Sequence, residues 1–172
     1  MNYDEESEVA KLRRAVVHDP GNANLRYLLG AEMAQAKDYE GAVLELSAAI
    51  ALNPTLDMAR FQLGLLQLTL GQVEQMKLVL APLEQATDDA PLKHFKRGLE
   101  ALVIDDFATC IASLRRGMEL NHQNEALNHD MSLIVSKVAA IVAEASAQQS
   151  RGDQPANVVR TDFSLYGDST RH

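Results

Sequence analysis

Gly30, Gly64 and Gly98 are spaced 34 residues apart. Each interrupts a stretch made otherwise of good helix formers. A glycine inside a helix costs about 1 kcal/mol relative to alanine, so three at one interval mark places where a side chain would not fit. Leu12, Leu46, Leu80 and Leu114 keep the same interval, and Tyr39, Val73 and Phe107 form a third register that is apolar in every copy. Leu46, Leu80 and Leu114 each follow their glycine by 16 residues. The spacing predicts units of two antiparallel helices of about four turns, the glycine of the first helix facing the second.

Breaks in the pattern agree with this period. Asp19-Pro20-Gly21-Asn22 and Asn53-Pro54-Thr55 carry clear turn chemistry. Asp88 and Asp89 ahead of Pro91 read as a helix cap followed by a first-turn proline. Helices are expected over 5–18, 22–36, 39–52, 56–70, 73–87, 90–104, 107–120 and 124–148. The last differs in kind: Leu127, Met131, Ile134, Val138, Ile141 and Ala145 form an apolar seam suited to closing the open end of a stack, or to joining two copies.

On these residues the chain resembles the tetratricopeptide-repeat family. The first full unit has Leu29-Gly30, Ala42 with Leu46, Ala49 and then Pro54; the second has Leu63-Gly64, Gly71 at the turn and Leu80; the third has Gly98, Cys110 with Leu114, and Gly117. An upstream half-unit supplies Leu12, Ala15 and Pro20, so the resemblance runs from about residue 8 to 122. Arg26, Arg60 and His94 stand where the family often has Trp, and Met33, Gln67 and Ala101 where it often has Tyr. Arg97 replaces the usual Leu before the third glycine, while Met76 and Leu83 are bulky where Ala is preferred. The resemblance implies an all-α superhelix, a solenoid of helix-turn-helix repeats with a C-terminal capping helix and an extended tail. Its parts are a repeat domain over 1–149 (half repeat 5–20, repeats 22–55, 56–89 and 90–123, capping helix 124–148) and a linker and tail over 150–172. Val158 to Tyr166, after a Gly- and Pro-containing linker, is β-prone and is expected to dock in extended form.

Charge and composition bound the function. A net charge of −8 argues against nucleic acid as the main partner. Lys93, Lys96 and Arg97 form the one basic cluster of note, expected to be a solvated helix face. The acidic start, Asp4-Glu5-Glu6-Ser7-Glu8, is unlike a signal peptide, and the most apolar stretch falls short of the ~20 residues a membrane span needs, so a cytoplasmic protein is expected. The single cysteine, Cys110, excludes an internal disulfide framework and falls where the repeat wants a small buried residue. His122 and His129 are seven apart, wider than the i, i+4 spacing of a helical metal pair. No phosphate-loop or dinucleotide glycine pattern is present, and no acid, base and nucleophile set stands out. No enzyme, cofactor or metal site is expected.

In this family the first helix of each unit lines a peptide-binding groove. The resemblance places Tyr27 there in the first unit, Met58, Phe61, Leu65 and Leu68 in the second, and Leu92, Phe95, Lys96, Leu99 and Leu102 in the third. Helical spacing puts 58, 61, 65 and 68 on one stripe and 92, 95, 99 and 102 on another. Of the positions matching the family's carboxylate clamp, only Lys96 is basic, which argues against that mode. The expected function is a non-catalytic adaptor or chaperone holding a polypeptide segment in an apolar groove. The alternative is a self-assembly module that oligomerises, for example as a homodimer, through its last helix or tail.

Overall fold

A computed structural model describes residues 7–150, with side chains described as far as residue 148. The expectations for residues 5 and 6, and for the linker and tail, lie outside the described residues. Every regular element within them is helical: α1 (Glu8–His18), α2 (Ala23–Gln35), α3 (Tyr39–Leu52), α4 (Asp57–Thr69), α5 (Val73–Leu80), α6 (Pro91–Val103), α7 (Phe107–Leu120) and α8 (Glu125–Ser150), with a 3-10 turn over Ala81–Gln85. The chain divides into two compact units, one ending at Leu80 and the next beginning at Ala81.

In the first unit, α2 packs along α3, α4 along α5, and α1 against α2. Val16, Leu29, Met33, Ala34, Ala42, Leu46, Ala49, Ala59, Leu63 and Leu66 form its core. In the second unit, α6 packs along α7 and α7 against α8. Leu99, Cys110, Leu114, Met131, Ile134 and Val138 are fully buried there.

The three glycine registers have one geometry. A Cβ added to Gly30 would come within 2.8 Å of Leu46 Cγ, one on Gly64 within 2.5 Å of Leu80 Cδ2, and one on Gly98 within 2.5 Å of Leu114 Cδ2. Each leucine thus occupies the volume that a side chain on its glycine would need. Gly117 adds a second close approach in the last unit, where a Cβ would lie 2.4 Å from the Phe95 ring.

Each first helix also ends in the same way. Lys37, Gly71 and Asp105 take positive φ values of 64°, 72° and 58°. The amides after them bond back across the helix end: Asp38 to the Met33 carbonyl, Gln72 to Gln67 and Asp106 to Ala101. Lys37, Gly71 and Asp105 themselves bond to Ala34, Leu68 and Leu102. This paired pattern is the Schellman ending, which consumes two orphan carbonyls and turns the chain sharply. Asp38 and Asp106 then cap the next helix through Gly41 N and Thr109 N.

Two local expectations need correction. The helix expected over 73–87 stops at Leu80 and continues as the 3-10 turn. Pro82 is the cause: it has no N–H to donate, and its ring collides with the carbonyl four residues back. The cap of α6 is Ala90, with no side-chain bond, rather than Asp88 or Asp89, while Pro91 does open the helix.

Candidate functional site

The first helices α2, α4 and α6 carry the candidate face. Tyr27 is half-buried on α2, and burial pushes its hydroxyl above the usual tyrosine range. On α4, Met58 and Leu68 are half-buried, whereas Phe61 and Leu65 are enclosed, with 0% and 2% of their surface exposed. On α6, Leu92 is half-buried, and Phe95, Leu99 and Leu102 are buried. Tyr27, Met58, Leu68 and Leu92 therefore present surface to solvent, and the other apolar members of the set sit beneath the surface in this conformation.

Lys96 is buried as well. Its side chain is 7% exposed and meets Glu84 Oε2 at 3.0 Å and Glu100 Oε2 at 2.8 Å. Burial acts to lower its pKa, but the bonds to Glu100 and Glu84 outweigh that and hold the ammonium above the usual lysine value. Lys93 is equally enclosed, donating to the Ala86 carbonyl at 2.8 Å and to Asp88 at 2.9 Å. Arg97 reaches Glu84 Oε1 at 2.6 Å. The expected solvated basic face is thus corrected: two of its three cations are buried, and all three are neutralised by carboxylates of the same unit. Bonds from Arg97 and Lys96 draw the Glu84 carboxyl down to about 2.

A feature that the sequence reading missed lies at the positions where the family often carries Trp. Arg26 Nε donates to the Pro20 carbonyl at 3.0 Å, Arg60 NH2 to the Pro54 carbonyl at 2.8 Å, and His94 Nε2 to the Asp88 carbonyl at 2.7 Å. Donor and acceptor are six residues apart each time, and both repeat at 34. The same arginines reach the second helix of their unit, Arg26 to Glu45 at 2.8 Å and Arg60 to the Val79 carbonyl at 3.2 Å. The signal was present as a register of hydrogen-bond donors rather than of one residue type. At the other family position, Gln67 Oε1 is buried without a partner, as is Arg60 Nε.

No reactive group emerges among the described residues. Cys110 is fully buried, and desolvation, then the nearby Asp106 charge, pushes its thiol up to about 11. Thiolate, the reactive form, is accordingly scarce at neutral pH. His122 and His129 are both exposed, and no three His, Cys, Asp or Glu side chains converge on a common point among the described residues.

The last helix keeps its seam buried through Leu127, Met131, Ile134 and Val138. Asn121 and Asn128 fasten it to α7, Asn121 Nδ2 donating to Asn128 Oδ1 at 2.8 Å and Asn128 Nδ2 to the Asn121 carbonyl at 2.9 Å. Beyond Val138 the seam opens: Ile141 is half-buried and Ala145 exposed. No helix among the described residues is long and apolar enough to cross a membrane.

No family model matches the chain. An Arabidopsis thaliana protein, the inactive TPR repeat-containing thioredoxin TTL3, is 28% identical over 136 residues, covering 73% of this chain and 20% of its own length. Among solved structures, MamA from Desulfovibrio magneticus RS-1 (residues 41 to the end) superposes with a TM-score of 0.54 at 17% identity, over 85% of this chain and 86% of that one. A double mutant, MamA RS-1 ArsTM, superposes equally well, over 84% and 85%. The chain resembles tetratricopeptide-repeat proteins. The sequence likeness to TTL3 and the glycine–leucine register carry that resemblance, and the superposition on MamA shows the same all-helical fold. The chain spans about a fifth of the length of TTL3.

Proposed function

We propose that this protein is a non-catalytic binding module that takes a peptide or protein segment on the apolar faces of its first helices. One observation carries the reading. Tyr27 on α2, Met58 and Leu68 on α4, and Leu92 on α6 are partly open to solvent, beside enclosed Phe61 and Leu65 on α4 and enclosed Phe95, Leu99 and Leu102 on α6. Apolar surface of this kind on a helical-repeat protein suits a partner that buries it. Phe61 and Leu65 act as the floor of the first unit's face, and Phe95, Leu99 and Leu102 as the floor of the second unit's. Lys96 stiffens that floor through its carboxylates and does not reach the partner. The repeat content named in TTL3 favours the same class of role.

Photo-crosslinking tests this directly. A benzophenone amino acid in place of Tyr27 or Met58 should capture a partner in cells that make the protein. The same probe at Leu44, 71% exposed on α3, should not. Capture from position 44 alone would place the partner elsewhere and overturn the reading.

A second reading, self-assembly, is favoured by the open end of α8. Val142 is 38% exposed and Ile141 half-buried on a turn that continues past Val138. Light scattering of the purified chain decides it: a stable dimer that truncation after Val138 converts to a monomer supports assembly, and a monomer at all concentrations dismisses it.

A further inference from the structure

We propose that Ala81–Ala90 is a charge-held strap, laid on α6 by Lys93, Lys96 and Arg97, which opens locally when dissolved ions compete for those charges.

Three observations support it independently. First, the segment is tied down mainly by side chains. Glu84 meets Lys96 at 3.0 Å and Arg97 at 2.6 Å, Lys93 meets the Ala86 carbonyl and Asp88, and His94 meets the Asp88 carbonyl. Its own loop amides make only short-range turn bonds, Ala86 N to Leu83 O at a long 3.3 Å and Ala90 N to Thr87 O at 3.1 Å. Pro82 removes one further donor.

Second, the corresponding joint in the first unit is built differently. Thirty-four residues before Lys93, Lys96, Arg97 and Glu84 stand Ala59, Gln62, Leu63 and Ile50. Ala59 and Leu63 belong to the apolar core there, and Ile50 packs on it. Charge in the second unit thus stands where apolar burial holds the first. The two kinds of contact respond differently to salt, since screening weakens ion pairs while leaving apolar burial intact.

Third, the two lysine pairs across the joint are lopsided, though Arg97 and Glu84 are equally exposed. The lysine side chains are 7% and 10% exposed, but Glu84 is 43% and Asp88 89% exposed. Counter-ions in solution therefore reach the anionic ends, which belong to the strap, while the cationic ends stay fixed in α6. Glu100, on α6 itself, remains to neutralise Lys96 when the strap lifts. Leu83, 1% exposed, is the apolar anchor uncovered by the opening.

The test is residue-resolved amide exchange of the full chain by NMR. Raising sodium chloride from about 0.1 M to about 1 M shortens the screening length from ~10 Å to ~3 Å. Exchange at Ala86 and Ala90 should then rise about tenfold, while Asp38 and Gln72 in the first unit change less than about twofold. Glu84→Gln, which keeps the shape and removes the charge, should show at low salt the rates that the unaltered protein shows at high salt. Salt-insensitive exchange at Ala86 and Ala90 would overturn the proposal. So would a rise shared equally by the α7 and α8 amides, which would mean that the unit unfolds as a whole. The salt series on the unaltered protein needs no variant and decides the matter by itself.

Discussion

Leu80 fills the space beside Gly64: its Cδ2 would lie 2.5 Å, and its Cγ 2.6 Å, from a Cβ on that glycine. Leu80 is fully buried, so it has no room to withdraw. Gly64→Ala should therefore lower stability by about 1–3 kcal/mol, although alanine is the better helix former by about 1 kcal/mol. Pairing it with Leu80→Ala should be clearly non-additive, because the truncated leucine makes room for the new methyl. Urea unfolding of the two single variants and the double variant measures the coupling; simple additivity would separate the glycine from the leucine.

The helix endings give a prediction of opposite signs at one register. Gly71 adopts φ 72°, so Gly71→Ala should cost about 1 kcal/mol. Lys37 and Asp105 hold the same conformation with side chains, so Lys37→Gly or Asp105→Gly should be neutral or stabilise by up to about 1 kcal/mol. Thermal melting of the three variants checks the ordering.

Gln67 buries an acceptor with no donor. Its register mate Met33 fills the corresponding place with a thioether whose methyl reaches Gly41 on α3. Gln67→Met keeps the length and removes the unmet polar atom. It should raise stability by about 1 kcal/mol. A lower melting temperature would mean that the amide finds a partner in solution, such as a water molecule.

Acid should loosen the second unit through Glu84. Its carboxyl lies at about 2 rather than the ordinary 4.5, so the carboxylate stabilises the fold at neutral pH. That contribution is complete above pH 4.5 and is lost progressively as pH falls toward 2. Glu84→Gln should thus be less stable than the unaltered chain at neutral pH, with the difference shrinking through that window. Parallel stability–pH curves would show that Glu84 has the same proton affinity folded and unfolded.

Much of the fold was legible because it repeats. Glycine, leucine and the third apolar register each carry the 34-residue period in residue types that mean one thing on a helix. Helix bounds followed, except where Pro82 cut α5 short inside an otherwise helical pattern. The staples at Arg26, Arg60 and His94 and the endings at Lys37, Gly71 and Asp105 were harder to see. In both, the backbone geometry or the donor repeats while the residue changes. The candidate face was least legible. A stripe such as 58, 61, 65 and 68 has the same periodicity whether it meets a neighbouring helix or solvent, and four side chains on such a stripe divide between the two. Charge misled in the same way: Lys93 and Lys96 read as solvated because Asp88 and Glu84 come from an irregular segment, while the i, i+4 pair of Lys96 with Glu100 looks the same on an exposed face.

The staples have a consequence for how such a chain can lengthen. Each glycine and its leucine lie within one repeat, but each staple crosses a boundary: Pro20, Pro54 and Asp88 lie in the segments ahead of the repeats that hold Arg26, Arg60 and His94. A copied repeat brings its own glycine socket and leucine, and takes the acceptor for its staple from the segment before it. Lengthening by duplication then asks one thing of each junction, a backbone carbonyl six residues ahead of the incoming donor.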